Sequence, residues 1–174
     1  LGKAVGEARA AGRTIALVPT MGALHRGHLS LAGRARADGH LVVLSIFVNP
    51  SQFGPGEDLD RYPRDLEGDA RLCEEAGVDG LFHPEGGEVF REGHGTWIEV
   101  GSVARGLCGR SRPGHFRGVA TVVVKLLGMA RPDAAYFGRK DFQQLRVIEA
   151  AVRDLDVPVR IIGCPTVRDP DGLA

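Results

Sequence analysis

The chain has 174 residues, 43% of them hydrophobic, which is enough for one domain with a continuous core and short for two. Lys plus Arg total 22 and Asp plus Glu total 22, so the formal charge is zero, no basic stretch is long enough to track a phosphate backbone, and nucleic acid is not expected as a partner. No apolar run approaches the roughly 18 residues that span a bilayer. The three cysteines, Cys73, Cys108 and Cys164, lie far apart and outside any Cys-x-x-Cys pattern, which argues against a disulfide framework or structural zinc and fits a reducing, cytoplasmic setting.

The first stretch, LGKAVGEARAAGR, lacks the apolar block of a signal peptide and reads as part of a helix. TIALV (14 to 18) reads as a buried strand, and after PTMGALHRGH a helix is predicted to begin near Gly27. LVVLSIFV (41 to 48) reads as a second strand, followed by a helix carrying Leu66, Ala70 and Cys73 that stops at Gly77, and by the shorter strand GLFH. The segment from 84 to 113 is irregular and Gly-rich, with a short strand predicted at TWIEV, and is expected to be an insertion or edge region. Beyond it come a helix with Val119, Val122, Val123, Leu126 and Leu127, the strand AAYF, a helix with Phe142, Leu145, Ile148, Val152 and Leu155, and the strand VRIIG (159 to 163). Near-continuous apolar strands that alternate with helices imply a parallel sheet covered on both faces, that is, a single Rossmann-like α/β domain. The sequence does not start with Met and ends in a turn, DPDGLA, so it is expected to come from a longer chain.

Open parallel sheets bind ligands beyond the carboxyl ends of their strands. The residues there are polar and rich in Gly or Pro: PTMGALHRGH, NPSQFGPGED, GRKDFQQ and CPTVRDPDG. His25 and His28 are three apart at a helix start, where unsatisfied backbone N–H groups and the dipole favour an anion, and two imidazoles can donate hydrogen bonds to phosphate oxygens. Gly22 and Gly27 would let a nucleotide approach the backbone. Composition alone gives about 0.03 chance matches to His-x-Gly-His in this chain. In GRKD, Lys140 could neutralise phosphate charge and Asp141 is predicted to cap the following helix. Gln52 and Gln144 are neutral amides suited to hydroxyl or carboxylate groups. His115 is read as a structural, helix-end histidine, and no His, Cys and Asp cluster has metal-ligand spacing.

PTMGALHRGH, SIFVNPSQFGPGEDLDRYPR, GHFRGVATVVVKLL, YFGRKDFQQL and PTVRDPDGLA, in this order, resemble the pantoate-beta-alanine ligase family of the nucleotidylyltransferase superfamily. The similarity runs from about residue 13 to the last residue. It implies ATP-dependent joining of pantoate to β-alanine through a pantoyl adenylate, with release of pyrophosphate and AMP. By resemblance, Met21, Gly22, Ala23, Leu24, His25, Arg26, Gly27 and His28 line the ATP site, with His28 the proton donor and His25 its phosphate-binding neighbour. Gly138, Arg139, Lys140 and Asp141 hold the nucleotide, and Val167 touches the adenine side. Gln52 and Gln144 grip pantoate, with Gln52 also at the β-alanine site. Mg²⁺ arrives with ATP, and a homodimer is expected. Family members continue after DGLA with a Met-Ser-Ser-Arg-Asn segment and a smaller lid domain, so residues 1–174 are expected to bind substrates yet turn over poorly. Two other readings remain: a nucleotidylyltransferase acting on a phosphate ester, and a non-catalytic nucleotide-binding or dimerisation module.

Overall fold

A computed structural model describes all residues, 1–174. Five parallel strands, β1 (Ile15–Thr20), β2 (Leu41–Ile46), β3 (Gly80–Phe82), β4 (Ala134–Gly138) and β5 (Arg160–Cys164), form one sheet in the order β3-β2-β1-β4-β5. Alternate residues of β1 face opposite sides. Ile15 and Leu17 enter one core and Ala16 and Val18 the other, which is why the run reads as continuously apolar. One face is covered by α1 (Gly2–Ala10), α6 (His115–Ala130) and α7 (Phe142–Asp154), the other by α2 (Arg26–Ala37) and α3 (Leu66–Glu75). Each strand and helix read from the sequence is present, with one exception. No helix is long and apolar enough to cross a membrane.

The exception is TWIEV. Segment 84–113 is not a sheet edge; it carries two short helices, α4 (Gly86–Val89) and α5 (Leu107–Ser111), and lies over α6. The Ile98 amide donates to Thr121 Oγ1 on that helix at 3.0 Å instead of joining a ladder. Alternating apolar residues there meet a helix rather than a strand, so a β pattern forms without β pairing. Because Val89 packs into the core and this segment shields its outer side, α6 is buried almost all round, as its GVATVVVKLL sequence requires.

The ladder between β1 and β2 runs for six pairs, whereas β1 and β4 pair only at Ala16 with Ala134 and Leu17 with Ala135. Past Leu17 the two strands part, and the chain proceeds from β1 to β2 on one side while β4 lies on the other. That divergence opens a crevice at the carboxyl end of the sheet.

Candidate active site

The crevice is a cavity of about 330 Å³ lined by Pro19 and Thr20 of β1 and the following Met21, from the start of α2 by His25 and His28, by Phe137 of β4, and from beyond β4 by Lys140 and Asp141. Gln52, Tyr62 and Gln144 complete its polar wall, and Val119, Val122, Val123 and Leu126 of α6 form an apolar floor. Thus both histidines, Lys140 and both glutamines, drawn from three separate stretches, face one space. A second cavity of about 360 Å³ lies across Met21 and Phe47 at the ends of β2 and β3, and His25, His28 and Lys140 do not reach it.

His25 is the N-cap of α2, with extended backbone, and its Nδ1 accepts the Gly27 amide at 3.1 Å. His28 Nδ1 accepts the His25 amide at 3.4 Å, which closes a reciprocal capping box in histidine form. Gly27 is required between them, because a Cβ there would sit 2.8 Å from His25 Cε1. With each Nδ1 accepting, the proton of each neutral ring is on Nε2, its free donor. The rings lie 4.1 Å apart between centroids. Burial, and after it the neighbouring His25, hold the His28 pKa down at about 4, so at neutral pH the ring is uncharged. Lys140 is the other basic side chain in the crevice wall.

Asp69, in α3, holds the turn between β1 and α2, which the sequence reading missed. It is 4% exposed, and its two carboxylate oxygens accept the amides of Ala23 at 3.0 Å and Leu24 at 2.7 Å. Ala23 is held at φ 51, a left-handed backbone that alanine adopts only under constraint. Removing the carboxylate leaves both amides without a partner, and Asp69→Ala is expected to lose about 2–3 kcal/mol in urea unfolding, with Asp69→Asn losing less because it retains one acceptor. Asn49, 1% exposed, was also missed. Its Nδ2 donates to Gln52 Oε1 at 3.0 Å and to the Gly118 carbonyl at 3.2 Å, while its Oδ1 accepts the Ser51 amide at 3.2 Å. This sets the orientation of the Gln52 amide, whose Nε2 lies 3.2 Å from Met21 Sδ. An Asn before Pro reads as ordinary turn chemistry, so only its burial singles it out.

The capping expectation for Asp141 is not met. Asp141 occupies the N-cap position of α7 but makes no capping bond with its side chain. A 3₁₀ turn, Arg139–Asp141, runs straight into the helix, and the carboxylate stays exposed at the crevice edge. Gly138 and Arg139 lie outside the cavity lining, as does Val167, half-buried in the segment after β5. An Arg26–Asp169 ion pair ties that segment to the start of α2. His115 is structural in the sense expected: buried, with Nδ1 2.9 Å from the Gln52 carbonyl. Among the other histidines, His40 Nδ1 pairs with Thr14 Oγ1 at 2.7 Å and His83 Nδ1 with the Ile46 carbonyl at 2.8 Å, while His94 packs between Phe90 and Trp97.

A family model for pantoate-beta-alanine ligase matches residues 1–174. The chain belongs to the pantoate-beta-alanine ligase family. A pantothenate synthetase of Syntrophotalea carbinolica is 58% identical over 168 residues, covering 97% of this chain and 59% of that relative. One from Myxococcus xanthus is 60% identical over 169 residues, covering 95% and 57%. The chain thus spans somewhat under six-tenths of these curated members of the pantoate-beta-alanine ligase family. Among solved structures, the pantothenate synthetase of Thermus thermophilus superposes with a TM-score of 0.91 at 55% identity, covering 98% of this chain and 63% of that one. The Francisella tularensis pantoate-beta-alanine ligase, solved in complex with β-γ ATP and β-alanine, has a TM-score of 0.91 at 42% identity, covering 98% and 67%. A tyrosyl-tRNA synthetase of Archaeoglobus fulgidus, at a TM-score of 0.54 and 10% identity, shares the fold alone.

Proposed function

We propose that residues 1–174 form the ATP- and pantoate-binding domain of an AMP-forming ligase that joins pantoate to β-alanine. The observation that carries this reading is the single crevice that gathers a histidine pair, one lysine and the Gln52 and Gln144 amides over an apolar floor. A triphosphate placed at the start of α2 meets the Nε2–H donors of His25 and His28 and the positive end of the helix, with Lys140 opposite. The apolar floor from α6 suits the gem-dimethyl carbon of pantoate, and Gln52 and Gln144 suit its hydroxyl and carboxylate groups.

In the first step a carboxylate oxygen of pantoate bonds to the α-phosphorus and the bond to the β-phosphate oxygen breaks, releasing pyrophosphate. In the second, the neutral amine of β-alanine attacks the acyl carbon, the bond to the AMP oxygen breaks, and the amine proton is lost. The domain's part in both is positioning and charge stabilisation. His28, neutral with its proton on Nε2, acts as a hydrogen-bond donor to the phosphoryl oxygens, and His25 beside it does the same. Asp141 is the sole carboxylate lining the crevice, and both oxygens of Asp69 are engaged by backbone amides. This donor set fits a Mg²⁺ held mainly through ATP phosphates and water. Val167 is assigned to the adenine side, and a homodimer through this domain is the proposed assembly.

Pantoate-dependent exchange of pyrophosphate into ATP is the test, supported by calorimetric binding of pantoate. Exchange driven by a mononucleotide or phosphopantetheine, with none from pantoate, overturns the assignment in favour of a nucleotidylyltransferase. Binding of ATP with no response to pantoate in either experiment overturns it in favour of a nucleotide-binding module.

A further inference from the structure

The wall of the crevice that carries Gln52 and Tyr62 is a strap with little regular structure. After the 3₁₀ turn Pro50–Gln52 it runs through Gly54, Pro55 and Gly56 to Tyr62, and an edge-to-face contact between Phe53 and Tyr62, 6.2 Å between centroids, closes it on itself. Such a segment has few backbone bonds of its own and needs to be held from outside.

It is held at two points by residues just ahead of and within the first turn of α6. The Arg112 guanidinium grips Glu57 bidentately, Nε to Oε1 at 2.7 Å and Nη2 to Oε2 at 2.6 Å. The same Oε2 accepts the Gly54 amide at 3.1 Å, so the carboxylate ties off the turn of the strap as well as the cation. Arg112 Nη2 also approaches the Gln52 carbonyl at 3.4 Å, and His115 Nδ1 donates to that carbonyl at 2.9 Å. A carbonyl only accepts, so the His115 proton is on Nδ1, and its Nε2 is left to accept from Arg112 Nη1 at 3.2 Å. Arginine, histidine and glutamate thus form one closed network around the backbone of Gln52.

Arg112 is itself anchored. It is the C-cap of α5, and that short helix is hung from α7 by Gln143, whose Nε2 donates to the carbonyls of Val103 at 3.0 Å and Gly106 at 2.7 Å and whose Oε1 accepts the Cys108 amide at 3.0 Å. The next residue, Gln144, lines the crevice. One turn of α7 therefore supplies one amide to the cavity and another to the scaffold that positions the amide facing it.

We infer that Glu57, Arg112 and His115 form a latch that fixes the strap from 52 to 62 and so positions the Gln52 side chain in the crevice. Gln143 sets the place of the latch on α7. The electrostatics agree with the geometry: the Arg112 hydrogen bonds hold the Glu57 carboxyl at about 2, and burial keeps His115 below its ordinary value, with Arg112, Glu57 and Asp141 the charged groups that act on it. Protonating His115 Nε2 would turn an acceptor into a donor against the guanidinium and break the closed network. These are positioning residues, and the statement that Gln52 receives pantoate rests on the function proposed above.

Two measurements on the same variants separate the latch from that reading. Glu57→Gln and Arg112→Met are each expected to raise deuterium uptake of the 52–62 amides while β1, α2 and β2 keep wild-type protection. Each is expected to weaken pantoate binding by calorimetry about tenfold, with ATP affinity within about twofold of wild type. The double variant is expected to be no weaker than either single one, because the two side chains act as a unit. Arg112→Lys, which keeps the charge without the fork, is expected to fall between. Uptake over 52–62 unchanged in both single variants, or losses that add in the double variant, overturns the latch. If the wild type binds no pantoate while strap uptake still rises in the variants, the latch stands and the ligand assigned to Gln52 falls.

Discussion

His28→Ala is expected to lower pantoate-dependent pyrophosphate exchange by about two to three orders of magnitude, the usual loss when one preorganised donor to a developing oxyanion is removed. The variant loses the Nε2 donor and also the acceptor of the His25 amide, which opens one half of the capping box while His25 keeps its own bond to the Gly27 amide. His28→Gln can still offer an N–H and is expected to retain more exchange than His28→Ala. Exchange at the wild-type rate in both would remove His28 from the mechanism. The same ring has a signature in stability. Its folded pKa of about 4 lies below the ordinary 6.5, so between those values the unfolded chain binds more protons than the folded one. Stability from this group is complete above about 6.5 and is lost as pH falls toward 4, by up to about 3 kcal/mol. Urea unfolding at pH 7.5 and pH 4.5 should show that difference shrinking in His28→Gln.

Gly118→Ala is expected to lower stability by about 1–3 kcal/mol, a fall in melting temperature of about 2–12 °C for a domain of this size. Gly118 lies on the face of α6 that meets the 3₁₀ turn before the strap, and a Cβ there would collide with the Ser51 carbonyl and come within 2.7 Å of the Gln52 nitrogen. The obstructing atoms are backbone, so no rotamer change relieves the clash. Either α6 withdraws, losing the contact between Asn49 Nδ2 and the Gly118 carbonyl, or the turn shifts and carries Gln52 with it. Pantoate binding is therefore expected to weaken along with the melting temperature, whereas a mutation that only unpacks the far end of α6 should lower the melting temperature alone.

The elements were legible because each carries its own local signal. The runs at 14 and 41 are apolar on both faces, the run at 159 is apolar apart from the exposed Arg160, and α7 repeats Leu145, Ile148 and Val152 on one side. The histidine pair was legible for the same reason: cap, glycine and second histidine act within four residues of one another. TWIEV misled because alternation reports that every second residue is covered, without saying whether a strand or a helix covers it. Asp141 misled because a capping residue is recognised by type, and a 3₁₀ turn entering the helix leaves its side chain with nothing to cap.

Periodicity, caps and ordered motifs in the amino-acid order were enough for the parallel α/β class, its helices, and the membership of His25, His28, Gln52, Lys140 and Gln144 in one family pattern. They could not specify that β1 leaves β4 after two pairs, which makes the crevice, nor which side chains brace it. Asp69 acts on an amide 46 residues away, and His115 on a carbonyl 63 residues away. Contacts at such separations depend on the path of the whole chain, because a carboxylate on a helix has the same local pattern whether it faces water or two buried amides. Strand order and packing supply that path.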